Sequence, residues 1–388
     1  MTTTNHHLSA IKERAIQRAL ELGAGDVRVA TARADEESRG RMRSAFARGD
    51  FNTWGYGEEY ARRANDPSEL LPNARSVICV AVPYAVPSPG ERPPLRGRVS
   101  NYAWSSDYHL RLRALLGSVA AEIDEAAGAS VTAIACDTRP LAERALAARS
   151  GLGWIGKHTN LIAPELGSFV FLGEIVTTLE LPPDPPLRKT CGSCRRCVEA
   201  CPTQALRGDY TIDANRCISD LTQRTDSIPI EMRPLIGDWV WGCDICQIVC
   251  PPTKRAGRAA STVWSPHEPA AAFPSLVELL RLRSGTFKRR YRRTAMGWRG
   301  AAVLRRNAAV ALGNLQDRSA VGVLAESLRD DPHPMVRSHA AWALGRIGSP
   351  AGVETLRRQY AVETNPEARA EISLALAPFG AAHRCRRL

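Results

Sequence analysis

Two cysteine runs between residues 191 and 250 constrain this chain more than any other feature. The first run is CGSCRRCVEACP at 191–202 and the second is CDICQIVCP at 243–251, to which Cys217 adds an eighth thiol. Bacterial ferredoxins with two 4Fe–4S clusters have this spacing, and in them the cysteine before proline binds the other cluster. The spacing therefore predicts one cluster on Cys191, Cys194, Cys197 and Cys250, and a second on Cys201, Cys217, Cys243 and Cys246.

Zinc and disulfides are the alternatives for so many cysteines. Structural zinc sites also use C-x2-C pairs, but they do not need a run of four cysteines closed by proline. Disulfides are not expected, because the chain lacks a secretion signal. Two neighbouring clusters indicate electron transfer and say nothing about the substrate.

Length and charge limit the class of protein. A chain of 388 residues is long enough for two or three domains. The net charge of +12 favours a polyanionic partner, although arginine-rich composition alone is a weak indication. No apolar run is long enough to span a bilayer, and the N-terminus has no apolar signal segment. We expect a cytoplasmic protein that does not bind membranes.

Strands and helices alternate over the segment 1–181. Apolar runs predict strands at 27–32, 76–84, 130–136 and 167–181, and helical spacing predicts helices at 8–22, 110–123 and 139–151. This alternation predicts an α/β domain over 1–181, with helices covering both faces of its sheet. The proline-rich segment 182–189 predicts a stiff linker into a ferredoxin-like domain over 182–260.

An internal repeat follows the cysteine region. The pattern Arg-x-Asn-Ala-Ala at 305–309 returns at 337–341 as Arg-x-His-Ala-Ala, and a weaker copy begins at Arg369. Each unit reads as two short amphipathic helices with small residues where helices pack closely. This is similar to HEAT-like repeats and predicts a helical domain over 261–388.

Asp137 is the sharpest candidate for chemistry outside the cysteines. It follows an apolar strand, and ligands bind at the carboxyl ends of strands in open α/β sheets. Shielded from water there, its carboxyl group would keep a proton near neutral pH and act as an acid. Alternatively Asp137 or Thr138 caps the helix that follows. The sequence leaves both interpretations open.

Three further stretches admit both a functional and a structural interpretation. Asp107, Tyr108 and His109 either line a pocket or open a helix, and Lys157 and His158 either bind a ligand or lie in an exposed turn. The basic run FKRRYRR at 287–293 and the repeat arginines suit phosphate contacts, with Tyr291 or Trp298 to stack on bases. The alternative is a solvated basic face and aromatic core residues.

With these pieces assembled, the chain resembles the epoxyqueuosine reductases from about residue 50 onward. The segments that carry the resemblance are LLPNARSVICVAVPY (70–84), SNYAWSSDYH (100–109), DTRPLAERALAARSGLGWIGKHTNLI (137–162), FVFLGEI (169–175), CISDLT (217–222) and GCDICQIVCP (242–251). One departure is Asp220, which stands where the family usually has tyrosine after Cys-Ile-Ser.

The resemblance implies the last step of queuosine biosynthesis. Members reduce epoxyqueuosine to queuosine at the wobble position of tRNA anticodons, with electrons passed through two 4Fe–4S clusters to cobalamin. It implies an N-terminal cobalamin domain and makes Asp137 the proton donor. The chain has no D-x-H-x-x-G motif, in agreement with the family's base-off cobalamin without a protein lower ligand.

The resemblance also implies positions for the cofactor and the tRNA. Near cobalamin or the substrate it places Tyr60, Ser100, Asp107, Tyr108, Asp137, Thr138, Gly156, His158, Leu161, Leu172, Ser219, Cys243 and Asp244. For the tRNA anticodon stem-loop we expect contacts from Ser219, Thr222, Lys288, Arg289, Arg290, Arg292 and Arg293. We further expect a monomer that takes electrons from a low-potential donor.

Two rival functions follow from the same residues. One is a cobalamin–iron–sulfur reductase acting on a small molecule, which predicts an export signal and no RNA-binding tail. The other is a non-enzymatic electron-transfer protein on a HEAT-like scaffold, whose segment 1–180 would bind no ligand. Cobalamin retention separates the enzymes from the second rival.

Overall fold

The computed structural model describes residues 2–86, 89–256 and 271–380. Its helices are α1 (Thr2–Glu21), α2 (Glu36–Ala47), α3 (Glu58–Ala64), α4 (Tyr108–Ala127), α5 (Glu143–Arg149), α6 (Arg196–Glu199), α7 (Ile218–Gln223), α8 (Arg233–Ile236), α9 (Ile245–Ile248), α10 (Pro251–Arg255), α11 (Leu276–Leu280), α12 (Ser284–Arg290), α13 (Ala301–Leu315), α14 (Val321–Asp330), α15 (Pro334–Ile347), α16 (Pro350–Val362) and α17 (Pro366–Gly380). Its strands are β1 (Asp26–Thr31), β2 (Ser76–Pro83), β3 (Arg98–Val99), β4 (Thr132–Ala135), β5 (Trp154–Ile155), β6 (Leu161–Ile162), β7 (Val170–Thr177) and β8 (Trp239–Trp241).

The described residues form two compact units, each built from three stretches of chain. The first contains 2–86, 107–215 and 244–256, and the second contains 89–106, 216–243 and 271–380. The predicted ferredoxin-like stretch 182–260 thus contributes to both units. The domain boundaries at 181/182 and 260/261 stay predictions, and the second boundary lies outside the described residues.

A four-stranded sheet organises the first unit. Its order is β1-β2-β7-β4, and every neighbouring pair is antiparallel. All of β2 except its last residue is buried, as its unbroken apolar sequence predicts for a strand covered on both faces. The predicted strands and the helix-covered faces are thus present. The direction of the strands was not part of that prediction, and all three pairs run antiparallel.

Helices cover both faces of this sheet. On one face α4 packs so closely that a Cβ on Gly173 would lie 2.7 Å from Leu116 Cδ1. On the other face, Leu146 and Ala147 of α5 join a buried apolar cluster with Cys79 of β2 and Val176 of β7. Side chains alternate between faces along β7, so Glu174 points away from α4, towards α5.

Stacked helix pairs form most of the second unit. Helices α13, α15 and α17 pack side by side, and α14 and α16 pack against them, as the internal repeat predicts. Small residues allow close approach, since a Cβ on Gly313 would lie 2.9 Å from Ala343 Cα, and one on Gly345 would lie 2.9 Å from Ala375 Cβ. The predicted repeat and its small packing positions are therefore present.

One position of each repeat binds the segment between Cys217 and Cys243. Asn307 Nδ2 donates to the carbonyls of Thr222 (2.7 Å) and Val240 (2.8 Å). At the equivalent position of the next repeat, His339 Nε2 accepts the Ile228 amide at 3.2 Å. At that of the last repeat, Glu371 forms a bidentate ion pair with Arg233, with both N–O distances 2.8 Å.

The repeat arginines are used inside the protein. Arg305 pairs with Asp331 at 2.7 Å and Arg337 with Glu363 at 2.7 Å, and each acid follows the next helix along the chain. Arg306 is fully buried and donates to the carbonyls of Leu221, Arg224 and Asp226. The prediction that repeat arginines contact phosphates is therefore wrong for Arg305 and Arg337.

Among the residues that the structure describes, no helix is long and apolar enough to cross a membrane.

Candidate active site

The Asp137 turn follows β4 at one end of the sheet. Asp137 has a φ of +51°, in the left-handed region that aspartate and asparagine tolerate better than most residues. Its side chain is 57% exposed. Helix α5 begins only at Glu143, with Ala142 as its N-cap and no side-chain cap. The helix-cap interpretation of Asp137 and Thr138 is therefore wrong, because the helix predicted from residue 139 starts later.

Three neighbouring side chains contact the Asp137 carboxylate or support its partner. His109 Nε2 lies 3.0 Å from Asp137 Oδ2, and His109 Nδ1 lies 2.6 Å from Asp107 Oδ1. The Tyr108 hydroxyl donates to Asp137 at 3.1 Å, and its ring stacks on Phe171 of β7 at 4.1 Å. Asp107 also accepts the His109 amide and so caps α4. The interpretation that this stretch opens a helix is therefore confirmed, and the interpretation that it lines a pocket stays a prediction.

The proton in this cluster resides on His109. Burial alone would lower the pKa of His109, but hydrogen bonds with Asp107 and Asp137 raise it to about 9. The same bond lowers the pKa of Asp137 below its usual range, against the opposing effect of burial. The expectation that Asp137 itself keeps a proton near neutral pH is therefore wrong. The group that keeps a proton is the His109 imidazolium, which lies between the carboxylates of Asp107 and Asp137.

A cavity of about 90 Å³ lies in the same unit. Its lining includes Tyr84, Arg144, Asn160, Leu161, Ser168 and Leu172, two of which, Leu161 and Leu172, are predicted cofactor contacts. Pockets that enclose a drug-sized ligand measure roughly 300–1,000 Å³. This cavity can therefore take part of a large cofactor and not the whole.

His158 has an unpartnered polar atom beside this cavity's lining residues. The Asn160 amide donates to His158 Nδ1 at 3.2 Å, so the neutral ring carries its proton on Nε2. Burial lowers the pKa of His158 to about 4, and its Nε2 has no hydrogen-bond partner among the described residues. Gly156 makes room for this ring, since a Cβ there would lie 2.9 Å from His158 Cε1. A buried N–H without a partner is a suitable donor for a bound ligand.

Lys157 is buried against the first cysteine run. Its amide donates to Cys191 Sγ at 3.4 Å, and its ammonium group donates to the Gly192 carbonyl at 2.7 Å. The exposed-turn interpretation of Lys157 and His158 is wrong, because they are 8% and 2% exposed.

Three of the four ligands predicted for the first cluster interact in the structure. Helix α6, which carries Cys197, packs against α9, which ends just before Cys250. Burial and the charges of Cys191 and Cys250 raise the pKa of Cys197 to about 11. Cationic iron would neutralise this mutual repulsion, so the three thiols suit an iron–sulfur cluster. Cys194 turns back on Cys191, with its amide 3.1 Å from the Cys191 carbonyl.

The ligands predicted for the second cluster are divided between the units. Cys201 and Cys246 belong to the first unit, and Cys217 and Cys243 belong to the second. Their grouping around one cluster stays a prediction.

The other predicted cofactor contacts fall into two groups. In the first unit, Tyr60 stacks on Tyr56 at 4.2 Å, and burial with the nearby Tyr56 raises the pKa of Tyr60 to about 12. Thr138 Oγ1 accepts from Arg113 at 2.5 Å, and Asp244 is buried. In the second unit, Ser100 is buried and Ser219 is half-buried.

The predicted tRNA contacts differ in exposure. Lys288, Arg289, Arg290, Arg292 and Arg293 are all exposed. Nearby, Trp298 is 55% exposed and has the Arg299 guanidinium 3.7 Å from its ring centroid. Tyr291 instead packs on Phe287. Thr222 is fully buried, donating to the Ile218 carbonyl and accepting the Gly242 amide. The prediction that Thr222 contacts tRNA is therefore wrong.

Two functional candidates were missed at the sequence level. Glu143 accepts the Asp137 amide, and Glu174 is a fully buried carboxyl group of β7. A signal for Glu174 was available, because it is the one charged residue in the apolar run FVFLGEI. Glu143 gave no such signal, since a glutamate in a polar helical stretch is ordinary.

Models of protein families match three parts of the chain. A 4Fe–4S double cluster binding domain matches residues 190–253, a model described as epoxyqueuosine reductase QueG matches 63–138, and HEAT repeats match 300–377. The chain therefore carries a double-cluster domain followed by helical repeats, and the predicted cysteine region and repeat region are confirmed.

Curated and solved proteins match over most of the chain. An epoxyqueuosine reductase of Bacillus cereus is 37% identical over 289 residues, which are 73% of this chain and 75% of that protein. The crystal structure of an epoxyqueuosine reductase with an epoxyqueuosine-modified tRNA-Tyr stem loop is 33% identical, with a TM-score of 0.89 over 95% of this chain and 99% of the other. The Bacillus subtilis enzyme, 32% identical with a TM-score of 0.87, over 95% of this chain and 99% of that one, has an aspartate-bearing catalytic loop swung out of the active site.

Proposed function

The chain belongs to the epoxyqueuosine reductase family, and we propose that it reduces epoxyqueuosine to queuosine at the wobble position of tRNA anticodons. The observation that carries this proposal is the match over 95% of the chain to a reductase bound to an epoxyqueuosine-modified stem loop. Removing the epoxide oxygen consumes two electrons and two protons and releases water. The chain must therefore hold reducing cofactors, deliver protons and bind RNA.

The cofactors we propose are two 4Fe–4S clusters and a base-off cobalamin, the latter held by the α/β part of the chain. The unpartnered His158 Nε2 and the cavity beside Leu161 and Leu172 fit a large polar ligand such as cobalamin. The charges of Cys191 and Cys250 raise the pKa of Cys197, as expected for thiolates that share a cationic iron–sulfur cluster. When bound, these groups supply low-potential electrons, which the chain itself cannot.

The protons come from the Asp107–His109–Asp137 cluster. His109 is charged at neutral pH and shares its Nε2 proton with the exposed Asp137 carboxylate. Asp137 is the most exposed member of this cluster, and so the one that protonates the departing oxygen. Asp107 holds His109 in orientation through Nδ1. The charged His109 supplies one of the two protons that the reaction consumes, through Asp137, and solvent supplies the second.

The tRNA binds the basic surface of α12 and the residues after it. Lys288, Arg289, Arg292 and Arg293 are exposed and suit phosphate contacts. Trp298, stacked on Arg299, offers an aromatic face for an unstacked base. We further propose domains at 1–181, 182–260 and 261–388, a separate low-potential electron donor, a monomer, and a cytoplasmic location.

A nucleoside assay tests the function. The anaerobically reconstituted protein is incubated with cobalamin, a low-potential reductant and epoxyqueuosine-bearing tRNA, and the digested nucleosides are identified by mass spectrometry. We expect queuosine, its loss without cobalamin, and its loss in Asp137→Asn, since asparagine tolerates the left-handed backbone but donates no proton. Absence of queuosine with clusters and cobalamin bound would move the substrate elsewhere.

A further inference from the structure

We propose that Glu143, the first residue of α5, is the positioning residue that holds the Asp137 turn in its working conformation. This proposal rests on the proposed function, in which Asp137 delivers the proton. It concerns two carboxyl groups that neither the relay nor the cofactor sites use.

The Asp137 turn needs an external hold. A non-glycine residue at a φ of +51° is in a sparsely populated conformation, which persists only where the surroundings enforce it. Its side chain is exposed and its bonds to Tyr108 and His109 lie at the surface. The backbone amide gives the fold a further way to fix this turn, besides the bonds of the side chain.

Glu143 provides that hold. Its Oε1 accepts the backbone amide of Asp137. Because Glu143 is the first residue of α5, whose body packs on the sheet through Leu146 and Ala147, the carboxylate is anchored to the core. An ionised carboxylate is a stronger acceptor than a neutral carboxyl group, so the hold depends on the charge of Glu143.

Glu174 of β7 is a second carboxyl group that interacts electrostatically with Glu143 and Asp137. In the sheet it is paired with Cys79 of β2 and Ala135 of β4, both members of the buried apolar cluster. It is fully buried, and neither carboxyl oxygen has a hydrogen-bond partner among the described residues. Burial, with the charges of Glu143 and Asp137, raises its pKa well above the usual range. Glu174 therefore stays neutral and leaves the negative charge to Glu143.

Glu143 changes charge near neutral pH. Burial and the charge of Asp137 raise its pKa to about 7. The titratable and charged groups that interact with this pair are Tyr60 of α3, Cys79 of β2, His109 of α4, Cys136 and Asp137 after β4, and Arg144 of α5. Above about pH 7 the ionised Glu143 holds the turn tightly, and below it the protonated group holds it weakly. In the Bacillus subtilis relative the catalytic loop is swung out of the active site. The hydrogen bond between Glu143 and the Asp137 amide would restrain such a motion in this chain.

Amide hydrogen exchange tests the hold without requiring activity. The exchange of the peptide covering 132–142 is measured by mass spectrometry in reconstituted protein at pH 8. Glu143→Ala should accelerate exchange at Asp137 by roughly ten- to a hundredfold, since a charge-assisted hydrogen bond is removed. Glu143→Gln keeps an acceptor oxygen without the charge and should lie between wild type and Glu143→Ala. Glu125→Gln removes an exposed carboxylate of α4 and is the matched control. Unchanged exchange in Glu143→Ala overturns the proposal.

Infrared spectroscopy tests the protonated partner. The carbonyl stretch of a protonated carboxyl group should be present at pH 8 in wild type and absent in Glu174→Gln. Glu174→Met serves the same purpose if the glutamine variant does not fold. If wild type lacks this band at pH 8, Glu174 is ionised and the proposal fails.

Kinetics then connect the hold to the reaction. In Glu143→Ala we expect kcat to fall by roughly ten- to a hundredfold with little change in KM, because the acid is misplaced and binding is not. The wild-type rate should rise with pH through about 7, and Glu143→Gln should lose this rise. A wild type that forms no queuosine refutes the proposed function, while the exchange and infrared results still decide the proposal on Glu143.

Discussion

His109 Nε2 lies 3.0 Å from Asp137 Oδ2, and the proton between them belongs to the imidazole. The His109 bond lowers the pKa of the exposed aspartate, and in the mechanism that we propose its neighbour protonates it during the reaction. This relationship separates the group that stores the proton from the group that presents it.

Replacing His109 by glutamine should slow turnover by about a hundredfold, the lower range for loss of a general acid. The pH profile is the more telling measurement. The wild-type single-turnover rate should fall as pH rises through about 9, where the imidazolium loses its proton, and His109→Gln should lack this fall. Tyr108→Phe removes only a hydroxyl donor to Asp137 and should keep it. If the rate of His109→Gln still falls near pH 9, a group other than His109 causes the fall.

Removing two charges from the basic surface should weaken tRNA binding. For Lys288→Ala with Arg289→Ala, the dependence of log K on log salt should become shallower by about one for each phosphate contact that the protein no longer makes. Binding of the anticodon stem loop is titrated at several salt concentrations. Arg357→Ala, an exposed arginine of α16, is the control and should leave the slope unchanged. An identical slope in the double variant would leave the basic run without a role in binding.

Trp298→Ala should weaken the same binding by a different route. Loss of one stacked base costs about 1–3 kcal/mol, and the salt slope should not change, because no phosphate contact is removed. Wild-type affinity in this variant would mean that no base stacks there.

Arg306→Met should destabilise the second unit by about 3 kcal/mol, measured by anaerobic denaturant titration, because it leaves buried carbonyls without their donor at a cost of roughly 1–3 kcal/mol each. The carbonyls concerned are those of Leu221 and Arg224. Arg346→Met, at an exposed site of α15, should have little effect. Equal stability of the two variants would show that solvent replaces the Arg306 contacts.

His339 should make stability depend on acid. Burial, with the charges of Arg233 and Arg306, lowers its pKa well below the usual value of about 6.5. A histidine with a lowered pKa contributes stability above its unfolded pKa, and this contribution is lost as pH falls below that value. Between about pH 6.5 and 5.5 the free energy of unfolding should therefore drop more steeply in wild type than in His339→Gln, by up to about 1.4 kcal/mol per pH unit. Parallel curves of unfolding free energy against pH in wild type and His339→Gln would contradict this prediction.

Local patterns were sufficient for the elements and the cysteines. Apolar runs predicted β2 and β7, and the internal repeat predicted the pairs from α13 to α17. The antiparallel pairing was not predictable in this way, because strand direction depends on connections that alternation does not encode. The start of α5 was misplaced because Asp137 and Thr138 have the composition of a cap while the chain makes another turn first.

The site could be predicted only in part, because contacts between distant segments are not encoded in local patterns. Asp137 could be selected from its place after a strand, but its protonation depends on His109, which is contributed by another helix. The repeat arginines have a sequence typical of a phosphate-binding surface. Whether such a side chain faces solvent, as Lys288 does, or a buried carbonyl, as Arg306 does, is decided only by packing between distant segments.

The contacts of Asn307, His339 and Glu371 also impose an order of events during synthesis. All three residues leave the ribosome well after the segment between Cys217 and Cys243, to which they bind. Chains are made from the N-terminus at about 5–20 residues per second. The segment between Cys217 and Cys243 is therefore synthesised several seconds before the residues that bind it. We therefore expect the segment between its two flanking cysteines to become fixed only when the last repeat has emerged. We expect iron to be inserted there after translation and not during it.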